Sequence, residues 1–121
     1  MKATARARYV RVTPRKARAV ADLVRGKGVL DALVTLDFAR RAAAVPVAKT
    51  IRSAAANAQN IEGGEEIDVE DLVLESICVD EGPSLKRWRP ASRGRIHPYK
   101  RRMSHITVTV SARPRPDGKK A

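Results

Sequence analysis

The residues with the clearest chemical capacity are eight cations between Ser84 and Met103, a stretch that contains no acid. They are Lys86, Arg87, Arg89, Arg93, Arg95, Lys100, Arg101 and Arg102. Eight cations without acidic partners cannot be buried in a protein core, so the stretch must be neutralised by a polyanion. Arginine suits a phosphate polyanion because its planar guanidinium makes paired hydrogen bonds to phosphate and also stacks on flat rings.

A second set of cations lies near the N-terminus. It comprises Arg6, Arg8, Arg11, Arg15, Lys16 and Arg18. The chain of 121 residues carries 25 Lys+Arg against 13 Asp+Glu, a net charge of +12. Such a charge attracts polyanions, of which nucleic acid is the common one and an anionic membrane the less common. Two cationic surfaces on one small domain predict a protein embedded in nucleic acid. RNA is favoured over DNA because the sequence has no helix-turn-helix, zinc-finger or zipper pattern.

Two aromatic residues, Trp88 and Tyr99, stand among the cations of the basic stretch. Aromatic side chains on RNA-binding surfaces often stack on bases. The alternative, which we favour, is that both rings pack on the arms of their own segment or on the body of the protein. Gly94, between Arg93 and Arg95, is the predicted tip of the segment because glycine permits a tight turn.

Catalytic and metal-binding chemistry find little support in the sequence. Of the two histidines, His97 lies in the basic stretch and His105 begins a strand with no patterned carboxylate or nucleophile beside it. No group of residues has metal-ligand spacing, and the glycines around Lys27 lack the spacing of a phosphate-binding loop. We therefore expect a protein that is not an enzyme and that needs no cofactor and no metal. The single cysteine, Cys78, is predicted to be a buried free thiol within an apolar strand.

Three segments have the period-two pattern or apolar content of strands. Residues 105–111 alternate strictly, with Ile106, Val108 and Val110 on one face, and residues 72–79 are mostly apolar. These two strands flank residues 80–104 and predict an antiparallel pair with a projecting basic finger, whose reach would be roughly 40 Å. A third strand is predicted over 3–12. Its inward face would carry Ala3, Ala5, Ala7 and Tyr9. Because isolated two-stranded ribbons are marginal in water, we expect the finger to be flexible until it is bound.

Three helices are predicted between the first and second strands. The first opens at Thr13-Pro14, since threonine caps helices and proline suits the first position. Its inward residues would be Ala17, Val20, Leu23 and Val24, with Arg18 and Asp22 paired on the outer face and glycines 26 and 28 ending the helix. The second covers 29–38, with Val29, Ala32, Leu33 and Leu36 inward. The third covers 40–59, with a kink at Pro46 or a true start near residue 45.

The remaining segments add less to the prediction. The small residues of 53–60 favour close helix packing on a sheet over direct ligand contact. An acidic loop is predicted around 62–66, and the tail RPRPDGKKA should be extended or disordered. The N-terminus has no secretory signal, and the longest apolar stretch, 42–48, is too short to span a bilayer. The fold class is α+β in a single domain, 1–121, with a basic hairpin at 80–104 and a flexible tail at 112–121.

Four blocks of the sequence resemble a known family. They are YVRVTPRKARAVADLVRGK (9–27), SAAANAQN (53–60), VDEGPSLKR (79–87) and SHITVTV (104–110). Their order and spacing are similar to those of the bacterial large-subunit ribosomal protein twenty-two family over about residues 5–111. The resemblance implies three helices packed on a small antiparallel sheet, with a long projecting β-hairpin.

The resemblance also implies a function and a set of partners. Such a protein is a cytoplasmic structural constituent of the large ribosomal subunit that binds its ribosomal RNA and supports its assembly. The body would lie near the outer opening of the peptide exit tunnel. The hairpin would line the tunnel beside the nascent peptide and approach large-subunit ribosomal protein four at the constriction. No membrane partner is implied.

The family's functional positions carry over onto numbered residues of this chain. Residues 86–102 would form the hairpin, and the body would contact RNA through Arg11, Arg15, Lys16 and Arg18. The tunnel-lining tip would comprise Arg87, Trp88, Arg89, Pro90, Ala91, Ser92, Arg93, Gly94 and Arg95. Two other interpretations stay open from the residues alone. One is a DNA-binding or nucleoid-associated basic protein. The other is a cationic membrane-active module, which is disfavoured because the basic stretch is arginine-rich and broken by prolines.

Overall fold

The computed structural model describes residues 2–60, 69–90 and 92–112. In chain order these form β1 (Lys2–Val10), α1 (Pro14–Val24), α2 (Val29–Phe38), α3 (Ala44–Gln59), a 3-10 turn (Val69–Asp71), β2 (Leu72–Pro90), a second 3-10 turn (Ser92–Gly94) and β3 (Ile96–Ala112). The predicted acidic loop 62–66, the tail 113–121 and Ala91 lie outside the described residues. None of the helices among the described residues is long and apolar enough to cross a lipid bilayer.

The three strands form one antiparallel sheet in the order β1-β3-β2, which confirms the predicted α+β class and the pairing of the two later strands. β3 is the central strand. Its residues Ile106, Val108 and Val110 are fully buried beneath the helices, as their alternation predicts. The intervening residues, from His105 to Ser111, face the side of the sheet that no helix covers, and they are half-buried.

The start of α1 is confirmed in detail. Thr13 is the N-cap, its Oγ1 accepts a hydrogen bond from the Lys16 amide at 3.4 Å, and Pro14 occupies the first helical position. The inward face was predicted wrongly at one position, because Leu23 is exposed and Ala21 is buried instead. Ala21 follows Ala17 by four residues and therefore shares the buried face, whereas Leu23 lies at its margin.

The predicted pair between Arg18 and Asp22 is also wrong. Arg18 instead donates from Nε at 3.2 Å and Nη2 at 3.1 Å to the carbonyl oxygen of Val79. Arg25 donates from Nη1 to the carbonyl oxygen of Ile77 at 2.7 Å and from Nη2 to Asp22 at 3.2 Å. β2 is an edge strand, and its outward carbonyls need partners. A hydrogen bond from a charged guanidinium to a partly buried carbonyl is stronger than an exposed ion pair along a helix. The guanidinium groups of Arg18 and Arg25 therefore bind the carbonyls of the sheet.

α3 begins at Ala44, which confirms the predicted start near residue 45 and corrects the longer range 40–59. Pro46 is therefore its third residue, where the backbone N–H would have no partner within the helix anyway. The small residues pack as expected, with Ala54, Ala55 and Ala58 buried. Asn57 donates from Nδ2 to the carbonyl oxygen of Thr4 at 3.0 Å, which ties the helix to β1.

Two expectations fail at β-bulges. The register of β2 against β3 shifts between Leu74 and Ser76. The extra residue reverses the sides of the strand, so that Ile77 and Val79 are buried and Cys78 is exposed rather than buried. A second shift, in β1 between Ala7 and Val10, surrounds Tyr9, which has a positive φ of 58° and is exposed rather than inward.

Candidate nucleic-acid interface

The hairpin begins where β2 and β3 leave the helices. Their pairing continues from Ser84 opposite Arg102 to Pro90 opposite Ile96. The tip contains two consecutive residues in the left-handed region, Arg93 at φ 62° and Gly94 at φ 72°. Glycine adopts this conformation without steric cost, so the prediction that Gly94 lies at the tip is confirmed.

The root of the hairpin is set by a bulge between Glu81 and Ser84. Gly82 lies within it, and a Cβ atom at this position would come within 3.2 Å of the backbone carbon and oxygen of Met103. A side chain here would make a contact tighter than most Cβ contacts in proteins, so glycine suits the close approach of the two strands. Because bulges bend a strand and increase its twist, this one sets the direction in which the hairpin leaves the sheet.

The two faces of the hairpin differ in chemistry. On one face Tyr99 lies opposite Arg87, and the Arg89 guanidinium lies 4.7 Å from the centre of the Tyr99 ring. The Arg101 guanidinium is 6.0 Å from the same ring, so Tyr99 packs within its own hairpin, as the favoured interpretation has it.

The other face pairs Lys86 with Lys100, Trp88 with Pro98 and Pro90 with Ile96. Trp88 is 65% exposed and Ile96 is 63% exposed. For Trp88, packing on its own segment or on the body stays the favoured prediction, and stacking on a base stays the alternative.

A cleft of about 570 Å³ lies between the hairpin and the body. Its walls come from the segment after β1, the first turn of α1, the connection before α3 and both hairpin arms. The lining residues are Arg11, Val12, Thr13, Lys16, Ala42, Leu85, Arg87, Lys100, Arg101, Arg102 and Met103. Six of these eleven residues are cations and none is an acid. The cleft therefore joins the two cationic sets that lie far apart in the sequence.

The body wall of this cleft is held in place by hydrogen bonds. Ser104 is fully buried, and its Oγ donates to the carbonyl oxygen of Val12 at 2.6 Å. The Val12 amide donates to the carbonyl oxygen of Val10 at 2.8 Å, and Thr13 caps α1. These contacts fix the segment that carries Arg11 to the first turn of α1 and to β3.

Within residues 2–60, 69–90 and 92–112, no acid forms an ion pair with a cation of the cleft. Among the described residues, the ion pairs join Lys2 to Glu75 at 2.7 Å, Arg25 to Asp22 at 3.2 Å and Arg52 to Asp37 at 3.8 Å. The lysines at 86 and 100 lie directly opposite each other, an arrangement in which like charges repel. An anion in the cleft would relieve this repulsion and would also meet several donors at once.

The predicted site residues divide into two groups in the structure. The cleft brings together Arg11, Lys16, Arg87, Lys100, Arg101 and Arg102. The others lie outside its lining: Arg6, Arg8, Arg15, Arg18, Lys86, Arg89, Arg93 and Arg95. Of these, Arg6 lies on the uncovered face of the sheet, opposite Thr107, and Arg18 binds β2.

Sequence reasoning missed the uncharged part of the cleft. Val12, Leu85 and Met103 supply its apolar wall, while Thr13 and Ala42 line it from the body. Leu85 is an apolar residue within a basic run, and this contrast could have marked it as part of the site. No local pattern marks Ala42, because its place depends on how the connection between α2 and α3 crosses the body.

One comparison with known proteins places these features in a family. A family model described as ribosomal protein L22p/L17e matches residues 5–111. The match covers most of the chain and includes most of β1, the three helices, the hairpin and nearly all of β3. The residue range agrees with the resemblance drawn from the four sequence blocks.

Proposed function

The chain belongs to the ribosomal protein L22p/L17e family and is thus a structural protein of the large ribosomal subunit, and from this premise we propose that its cationic cleft and hairpin bind the ribosomal RNA of that subunit. The observation that carries the proposal is the cleft itself, whose described lining residues include six cations and no acid. Its arginines and lysines neutralise phosphates of a folded RNA segment, while its apolar wall excludes water around the contacts.

The rest of the proposed role follows the family. The hairpin, with the tip residues 87–95, lines the nascent-peptide exit tunnel and approaches large-subunit ribosomal protein four at the constriction. Arg11, Arg15 and Lys16 contact RNA from the body, Arg18 adds its charge while its Nε and Nη2 bind the Val79 carbonyl, and Arg6 and Arg8 add a second basic surface. Binding by both regions supports folding of the RNA during subunit assembly in the cytoplasm. The chain acts as one RNA-binding domain and performs no catalysis.

Salt dependence tests this proposal directly. The dissociation constant of the full chain for large-subunit ribosomal RNA would be measured by filter binding between 50 and 200 mM monovalent salt. If the six cleft cations each neutralise one phosphate, a plot of the logarithm of the association constant against the logarithm of the salt concentration has a slope of about −4 to −5. A flat salt response would contradict phosphate neutralisation as the source of affinity.

Competition separates the alternatives that the sequence left open. Unlabelled ribosomal RNA should displace labelled ribosomal RNA at far lower concentration than an equal mass of duplex DNA does. Stronger competition by DNA would favour a nucleoid protein. Sedimentation with anionic lipid vesicles, matched in the same buffer, tests the membrane-active interpretation, and we expect the chain to stay in the supernatant.

A further inference from the structure

The outward face of α2 is apolar, in contrast to the charged surfaces described above. Leu30, Val34 and Phe38 follow one another at intervals of four residues and are exposed by 43%, 55% and 82%. The inward face of the same helix carries the buried residues Val29, Ala32 and Leu36. A helix that is hydrophobic on both sides is normally covered on both sides. The apolar stripe Leu30–Val34–Phe38 therefore has the character of an interface.

The side chains of α2 itself disfavour RNA as the occupant of this stripe. α2 contains no cation, and Asp31 and Asp37 flank the stripe on its two sides. Asp37 lies 3.8 Å from Arg52, whereas the carboxylate of Asp31 takes part in none of the ion pairs of the described residues. Lys27, which precedes the helix, donates from Nζ to Thr35 Oγ1 at 3.2 Å, and Arg40 and Arg41 follow the end of the helix. A phosphate backbone would be repelled by the carboxylates and would gain nothing from three apolar side chains.

A second copy of the chain is also a poor occupant. Each copy carries a net charge of +12, and two such molecules repel each other at moderate salt. A segment of another polypeptide meets both requirements, since its apolar side chains can cover the stripe and a lysine or arginine can pair with Asp31. Interfaces of this kind have an apolar centre and a charged rim.

We propose that the apolar stripe on α2 is the docking site for a neighbouring protein of the large subunit, through a segment with apolar side chains and a cation placed at Asp31. The inference rests on the chain's place in that subunit, and it is independent of RNA binding in the cleft. The body thus has two different partners on two surfaces, with RNA on the cationic cleft and polypeptide on α2.

Site-specific photo-crosslinking tests the proposal in assembled particles. A photoreactive phenylalanine analogue replaces Val34 in the full chain, subunits assembled in cells are purified and irradiated, and the crosslinked partner is sequenced by mass spectrometry. We expect a peptide of another ribosomal protein that contains apolar residues and at least one lysine or arginine. A crosslink to a nucleotide, to a second copy of this chain, or to nothing would overturn the proposal.

A matched control separates this proposal from the proposed RNA binding. The same analogue at Ile96, which is similarly exposed but lies on the hairpin, should crosslink to RNA. If Val34 crosslinks to protein and Ile96 fails to reach RNA, the proposed function of the hairpin fails while the docking site stands. If the analogue at Ile96 crosslinks to RNA and the analogue at Val34 crosslinks to no protein, the docking site on α2 fails while the proposed RNA binding by the hairpin stands.

Binding measurements then test the chemistry of the contact. A synthetic peptide with the crosslinked sequence is titrated into the full chain. The double variant Val34→Ser and Phe38→Ser should bind it about tenfold more weakly, and Asp31→Lys should weaken it by a similar factor. Trp88→Ser, which removes an exposed ring from the hairpin, should leave the affinity unchanged. Unchanged affinity of the α2 variants would overturn the proposal, and their thermal melting shows that they remain folded.

Discussion

β2 and β3 run through two regions of the molecule with the same antiparallel pairing and opposite surroundings. In the body, the inward face of β3 carries Ile106, Val108 and Val110 beneath three helices. Beyond Ser104 the same face of the same strand carries Arg102, Lys100, Pro98 and Ile96, and all four are exposed. Two strands that pair along their whole length can therefore differ in stability from one region to the next. The body is held by its own core, whereas the hairpin depends on backbone hydrogen bonds and on what it binds.

The bulge at Gly82 marks the boundary between the two regions. On the body side of the bulge the β2 edge is covered by the arginines of α1, which bind the carbonyls of Ile77 and Val79. On the hairpin side Arg89 instead lies over Tyr99, and Arg87, Arg101 and Arg102 line the cleft. The same residue type thus stabilises the protein in one region and stays accessible for a partner in the other.

The largest expected difference between the regions is the loss of unfolding free energy when an isoleucine of β3 is truncated to alanine. Ile106→Ala removes a fully buried side chain from β3 and should lower the free energy of unfolding by about 2–5 kcal/mol. Ile96→Ala, on the same face of the same strand, should change it by less than about 0.5 kcal/mol because that side chain is exposed. Urea denaturation followed by circular dichroism measures both. Equal destabilisation would show that the hairpin belongs to the cooperative core.

Removing cations from the hairpin should weaken RNA binding while leaving the stability of the body nearly unchanged. The triple variant Lys100→Ala, Arg101→Ala and Arg102→Ala removes half of the cleft cations and should weaken binding to ribosomal RNA about a hundredfold, with a salt slope smaller in magnitude by about 2 to 2.5. The unfolding free energy should stay nearly unchanged, since these side chains are exposed.

A control triple variant of the same net charge is Lys27→Ala, Lys49→Ala and Arg52→Ala, on surfaces outside the cleft. It should reduce RNA affinity much less. If both triples weakened binding equally, net charge alone would account for affinity and the cleft would have no special role.

Glycine substitution compares the root of the hairpin with its tip. Gly82→Ala places a Cβ atom 3.2 Å from the Met103 backbone and should destabilise the body by about 1–2 kcal/mol as the strands are forced apart. Gly94→Ala introduces an unfavourable left-handed conformation of similar cost, but nothing lies within 4 Å of the added Cβ. Because the tip is outside the core, we expect no change in thermal melting for Gly94→Ala. A lower melting temperature for this variant would contradict the separation of the regions.

The two regions also differ in how far the sequence predicts them. Strict alternation in 105–111 and the basic run beside it were sufficient to predict the antiparallel pair and the hairpin, and Thr13-Pro14 predicted the start of α1. The errors at Cys78 and Tyr9 have a single physical cause. Each lies beside a bulge, where one extra residue reverses every later side chain while the composition of the strand stays the same.

The cleft was predictable only in part. Charge identified its cations, but their meeting depends on a contact between Ser104 and Val12, which are 92 residues apart. No periodicity within either segment reports such a contact. In the same way, the sequence could not show that Arg18 and Arg25 reach β2, since the choice between an exposed ion pair and a strand carbonyl is decided by the tertiary packing of α1.

The smallest effect should come from Thr13, which belongs to both regions because it caps α1 and lines the cleft. Thr13→Ala removes the Oγ1 that accepts the Lys16 amide and should cost about 1 kcal/mol of unfolding free energy. Ser53→Ala, at an exposed position within α3, is the control and should be nearly neutral. RNA affinity should fall only slightly, because the cations that bind phosphate remain. A large loss of affinity from Thr13→Ala with normal stability would instead mean that its hydroxyl contacts the RNA directly. Thr13 would then belong to the RNA-binding surface as well as to the stabilising body.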